Sequence, residues 1–371
     1  MKQANLFPHG LLVAAAAALG GAQAAQAAAA TTTDVPRYRV HNLGTLAPRS
    51  NSAAVGINES GLLTGTMFNG VDRTREVFLG TGQDDLRLLG TLGGPLSAAS
   101  ALNDRGDVAG WSLNSDFVQR PALYSGGRWT DLAAPFGSSA RGVANAVNAS
   151  GQVTGQVGAH AFIYDGRTSR ELRVGNTSEG LDINDHGVVV GGAVMPDNVV
   201  RSAFVYADGV ATLLPSLGGT YGQAQAINNA GQIVGYSYSA EGELLPFLYS
   251  GGTMTALAGS GFGEALDINE RGWVVGSYNL DAYLWRDGVG HNLNTLVAPD
   301  QAGRWTLLSA QGINEGGQIV GYGLFHGYLR GFVATPVPEP GSWALMLAGL
   351  GVVGAAAARR RGRDAQRVAC C

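Results

Sequence analysis

Short apolar runs that end at glycine recur along the chain and predict β-strands. Pro246-Phe247-Leu248-Tyr249-Ser250 runs into Gly251-Gly252. Its counterparts are Val77-Phe78-Leu79, Ala122-Leu123-Tyr124, Ala161-Phe162-Ile163-Tyr164, Ala203-Phe204-Val205-Tyr206, Ala282-Tyr283-Leu284-Trp285 and Gly331-Phe332-Val333. Aromatic and β-branched residues in such runs favour strands, and the body carries no long segment of helical period. Ahead of each run stands Asn-x-x-Gly-x-x-x-Gly, with its Asn at Asn58, Asn103, Asn148, Asn184, Asn228, Asn269 and Asn314. The seven copies lie 36 to 45 residues apart, close to the period of propeller blades.

The turn has a mechanism. Asn binds its own backbone two residues on and starts type I turns well. Glycine three residues later (Gly61, Gly106, Gly151, Gly187, Gly231, Gly272 and Gly317) takes the positive φ of a hairpin loop with a bulge. The motif therefore reads as structural turns. The stretch before each Asn is small in side chain, as in Ser97-Ala98-Ala99-Ser100 and Gly222-Gln223-Ala224, which suits an innermost strand where sheets converge. A fourth strand is expected near Leu86–Leu89, Trp129–Leu132, Glu171–Val174, Ala211–Leu214, Met254–Leu257 and His291–Leu296. The seventh repeat lacks one, while an orphan strand, Tyr38–Leu46, stands at the start. The expected fold is thus all-β: a seven-bladed β-propeller over 38–335, closed by its N-terminal strand, which removes exposed edges.

The ends carry an address. Residues 1–30 read as a secretory signal peptide, with Lys2, an apolar run from Leu11 to Leu19, and small residues around Ala22-Gln23-Ala24; Sec export follows. Residues 336–341 form a linker containing Pro338-Glu339-Pro340. The uncharged stretch 342–358 would span about 26 Å as a helix, enough for a transmembrane sorting helix. Residues 359–371 open with Arg359-Arg360-Arg361, a basic tail that belongs on the cytoplasmic side.

Charge and composition narrow the function. Of 24 bases, Lys2 and five tail arginines lie in the terminal segments, leaving 18 against 27 acids in between. That balance argues against nucleic acid as a partner. Cys370 and Cys371 are the only cysteines, so neither a disulfide framework nor a cysteine zinc site holds the body. The six histidines show no metal spacing, and no Gly-x-Ser-x-Gly elbow is present. No catalytic residue is assigned, and no cofactor is expected. Acids near the turns (Asp104, Asp107, Asp182, Asp185 and Asp267) invite calcium but lack the loop pattern of a calcium site. Asp182 and Asp267 share one repeat position, two before the Asn, where the other copies carry Gly or Ala. On an innermost strand they are a candidate polar or cation site near a central channel.

Two resemblances add to this. The Pro-Glu-Pro motif, the apolar segment and the arginine cluster together resemble the PEP-CTERM sorting signal. The resemblance implies an exosortase partner in a Gram-negative, exopolysaccharide-producing bacterium, processing near Pro338-Glu339-Pro340, and transient anchoring in the inner membrane. His160-Ala161-Phe162, the Leu89–Gly94 run and the Ile-Asn turns resemble HAF-type extracellular repeats, which implies a surface or secreted location. The expected protein is a monomeric, non-enzymatic surface or matrix component that binds exopolysaccharide or a surface protein. The alternative is a polysaccharide-active lyase or hydrolase, which two carboxylates about 5–9 Å apart in a face cleft would support.

Overall fold

The fifth repeat shows how the pattern becomes structure. Gly218–Ile227 pairs antiparallel with Ile233–Ser239, which pairs with Leu244–Ser250, which pairs with Thr253–Ala256. The computed structural model describes residues 35–45, 50–82, 84–196 and 200–337. The expected leader 1–30, the sorting helix 342–358 and the basic tail 359–371 lie outside them. Among the described residues the chain is all-β, with five four-stranded sheets and one of eight strands. The eight-stranded sheet runs through the first two repeats, which meet at a single parallel pair, Arg75 opposite Leu96.

Every strand that precedes a turn Asn carries a β-bulge at the same place, three residues before the Asn. The register shifts between Ala54 and Gly56, Ala99 and Ala101, Ala144 and Ala146, Gly180 and Asp182, and likewise in the remaining three repeats. A bulge bends its strand and increases local twist. Two residues before the bulge, a carbonyl of that strand lies against the neighbouring strand, opposite the second glycine of the motif. A Cβ on Gly65, Gly110, Gly155, Gly191, Gly235, Gly276 or Gly321 would stand only 1.9 to 2.1 Å from that carbonyl oxygen. Glycine is required there by close approach, not by φ.

The opposite side of that glycine is covered by the third strand. Phe78, Phe162, Phe204 and Phe332 lay their rings within about 3 Å of the missing Cβ, and each is fully buried. Phe78, Phe162 and Phe204 each sit in an apolar cluster that joins one sheet to the next. Ala226 and Val234 pack with Ala265, Ile268, Val274 and Trp285 of the following repeat. Ala54, Leu63 and Phe78 of the first repeat pack with Val320 and Val333 of the last and with Leu43, which follows the first strand. Burial of each large apolar side chain contributes about 1.5–3 kcal/mol.

The strand Arg37–Asn42 pairs antiparallel with Tyr328–Val337, whose sheet continues through Ile319–Phe325 to Trp305–Ile313. Its pattern alternates, with Tyr38 and Val40 buried between exposed neighbours. It stops at Asn42, short of the expected Leu46, because Gly44 takes φ 66° and donates its N–H to Asn42 Oδ1. From the second repeat to the sixth, the fourth strands begin one or two residues earlier than the apolar pattern suggests. In the sixth repeat the strand is Val289–Asn292, and Leu293–Leu296 forms one helical turn instead. Asn292 caps that turn by accepting from Asn294 N.

Candidate functional site

The turn asparagines form a belt. Asn58 Oδ1 accepts from Ser60 N and Leu62 N, while its backbone carbonyl accepts from Gly61 N. The third-position glycines have φ between 74° and 83°. The remaining donor, Nδ2, reaches across to the next repeat. Asn58 donates to the Asn103 carbonyl at 3.2 Å, Asn103 to Asn148 at 2.9 Å, and Asn148 to Asn184 at 3.0 Å. Asn184 donates to Asn228, Asn228 to Asn269, and Asn269 to Asn314, each at 3.1 or 3.2 Å. Asn314 then donates to the Asn58 carbonyl at 3.0 Å, and the series returns to its start. All seven are buried.

A side-chain amide does both tasks, since the turn needs an acceptor and the neighbour needs a donor. Replacing Asn228 by Ala is expected to cost about 2 kcal/mol, because Gln232 N and the Asn269 carbonyl lose buried partners. Asn228→Asp keeps the acceptor and loses the donor, so it should not restore stability. Urea unfolding of both variants checks this.

A second ring lies outside the first. The residue after each Asn accepts, through its side chain, from the backbone N–H of the equivalent residue in the preceding repeat. Glu59 N donates to Asp104, Ala149 N to Asp185, Asp185 N to Asn229, and Asn229 N to Glu270. Glu270 N donates to Glu315, and Glu315 N to Glu59 at 2.9 Å. Ala149 cannot accept, which leaves the one gap, at Asp104 N. This acidic column was legible in the sequence one place beyond the Asn, but its role across repeats was not. Among the described residues no group of three or more His, Cys, Asp or Glu is placed to hold a metal.

Inside the belt, the seven bulge residues, among them Val55, Asn145 and Gln311, line one cavity of about 370 Å³ together with Asp182 and Asp267. Both aspartates are half-buried at its wall. Asp182 Oδ2 accepts from Ile227 N of the next repeat at 2.8 Å, and Oδ1 accepts from Ile183 N. Asp267 repeats this with Ile313 N and Ile268 N. Burial pushes the Asp182 carboxyl up to about 7, against the lowering pull of the two N–H groups, and the charge of Asp267 adds to the rise. Burial likewise pushes Asp267 up to about 6.

The folded chain therefore holds protons on these two groups more tightly than the unfolded chain does. Their contribution is fully present below about pH 4 and is lost as pH rises through about 6 to 7. Urea midpoints should fall across that window. The double variant Asp182→Asn, Asp267→Asn should flatten the slope.

Among the body histidines, His41 and His326 belong to the last sheet and His160, His186 and His291 each to another, and His160 Nδ1 is buried without a hydrogen-bond partner. The expected sorting residues Pro338, Glu339, Pro340, Arg359, Arg360 and Arg361 lie outside the described residues. No helix among the described residues is long and apolar enough to cross a membrane.

The strand ends opposite the Asn turns carry chemistry that the sequence pattern did not single out. Tyr221 stacks on Tyr236 at 6.1 Å and meets Tyr238 edge-on, and Tyr236 donates its hydroxyl to Gln223. Further round, Phe68, Arg73 and Arg75 line a cleft of about 460 Å³ with Leu96 and Leu329. These residues come from three repeats, so no linear spacing announces them.

Comparison with known proteins places both halves of this description. No curated protein matches the chain. Among solved structures, the β-propeller domain of the Trilobed protease from Pyrococcus furiosus is similar at TM-score 0.51 and 11% identity, covering 77% of this chain and 95% of that one. An extracellular domain from B. thetaiotaomicron, described as part of a hybrid two component system, is similar at TM-score 0.50 and 11% identity. That match covers 82% of this chain and 40% of the other. Residues 336–361 match the PEP-CTERM protein-sorting motif. The chain thus joins an all-β body with β-propeller neighbours to a PEP-CTERM motif, which implies exosortase-dependent export to the cell envelope or surface.

Proposed function

We propose that the chain is a non-enzymatic surface or matrix protein, exported through its 1–30 leader and held briefly in the inner membrane by 342–358 before processing near Pro338-Glu339-Pro340. Its body is a seven-bladed β-propeller of HAF-type repeats, closed by the Arg37–Asn42 strand, that binds exopolysaccharide or another surface partner. The observation that carries the sorting half is the motif match at 336–361. Closure is supported by the pairing of the first strand with the last and by the return of the asparagine series from Asn314 to Asn58. Such a belt suits a rigid display scaffold, because each repeat is tied to both neighbours by buried hydrogen bonds.

The test follows the chain in host cells with and without exosortase. Protease added to intact cells should digest the body in the first, and the unprocessed chain should stay in the inner membrane in the second. A chain that is periplasmic and soluble in both hosts would overturn the reading.

A further inference from the structure

We propose that the cleft at the strand ends opposite the Asn turns is a binding site for the uronate residues of an acidic polysaccharide. This inference rests on the surface-binding reading above and gives it a site and a ligand class. Asn51, Phe68 and Arg75 form one cross-strand row on the sheet of the first repeat, and all three are exposed. Leu96 closes one side from the second repeat and Leu329 the other from the last. The cavity, about 460 Å³, has the size of small-ligand sites.

Charge selects the ligand. The chain between its termini carries more acids than bases, yet the cleft lining holds two arginines and no acid. Neither Arg73 nor Arg75 pairs with a carboxylate among the described residues. Arg75 lies over the Trp111 ring at 5.6 Å. That cation–π contact orients the guanidinium while leaving its N–H fork free. A guanidinium held this way meets a carboxylate in bidentate fashion.

Shape selects further. Phe68, 41% exposed, offers an aromatic face on which the apolar face of a sugar ring can lie, and Asn51 offers both a donor and an acceptor for hydroxyl groups. A sugar carrying a carboxylate satisfies the platform, the amide and the two arginines together. A folded protein partner would need about 800 Å² of its own surface buried, far more than this cleft supplies.

Calorimetry on the full chain in detergent, with oligogalacturonate as probe and cello-oligosaccharide and polyglutamate as comparators, tests the assignment. Oligogalacturonate should bind, more weakly at high salt, and the neutral sugar should not. Arg75→Gln and Phe68→Ala should each weaken binding about tenfold while leaving the urea midpoint unchanged. Oligogalacturonate binding that neither substitution weakens would overturn the cleft, as would no binding at all. Polyglutamate binding that is indifferent to Phe68→Ala would overturn the sugar in favour of an acidic peptide. A chain that reaches the cell surface and ignores oligogalacturonate sinks this inference alone, whereas a chain that never reaches the surface sinks the broader reading.

Discussion

Replacing Val40 by Asp should destabilise the chain by about 4 kcal/mol, because it puts a charge at a buried position that now holds an apolar side chain. Val40 is 2% exposed, in a strand whose pattern alternates buried and exposed positions. The strand is fastened on both sides. It pairs with Tyr328–Val337 along one edge. Along the other, Val40 N donates to Gln301 Oε1, Gln301 Nε2 donates back to the Val40 carbonyl, and Ala298 N donates to the Tyr38 carbonyl. Covering an outer edge in this way removes a template for aggregation. The variant should therefore do more than lower the urea midpoint. It should bare the Tyr328–Val337 edge and shift part of the chain to oligomers in size-exclusion chromatography. Arg39→Asp, one residue away, breaks only the exposed pair with Asp300 and should cost less than about 1 kcal/mol. Equal, small effects from both substitutions would show that the first strand does not hold the last sheet.

The turn was legible because its chemistry is local. Asn58 and Gly61 meet within one hairpin, so the physics that selects them is written within four residues. The cross-repeat bonds are less legible. Asn58 also binds the Asn103 carbonyl, 45 residues on, and nothing in one repeat reveals that second duty. The bulge left no trace at its own positions: Val55, Ser100, Asn145, Leu181, Gln225, Leu266 and Gln311 share no side-chain type, since the requirement there falls on the backbone. Asp182 and Asp267 stood out because two carboxylates interrupt a column of Gly and Ala. Their bonds to Ile227 N and Ile313 N depend on how neighbouring strands approach, which the column does not state. The helical turn at Leu293–Leu296 was missed because its apolar pattern is too short to distinguish a strand from a turn, and the capping Asn292 decides it. The arginine cleft draws on three repeats and could only be assembled in space.

The two glycines of the motif look alike in sequence and should respond differently to the same substitution. Gly231 has φ 77° and open space where a Cβ would go. Alanine there should cost about 1–2 kcal/mol of left-handed backbone strain, and Asn, which tolerates that region, should recover most of it. Gly235 is the reverse case. Its φ is ordinary, but an added Cβ would meet the Gln223 carbonyl oxygen at 2.0 Å and Ala224 Cα at 3.0 Å. Both obstacles are backbone, held by the bulge and by the strand's own hydrogen bonds, so no rotamer can move aside. Alanine at 235 should cost about 3 kcal/mol, and Asn should be worse, because any side chain begins with the same Cβ. Urea unfolding of the four single variants separates the two causes. If Gly235→Ala proves as mild as Gly231→Asn, the bulged strand can yield, and the close approach would no longer explain why the seventh residue after every turn Asn is glycine.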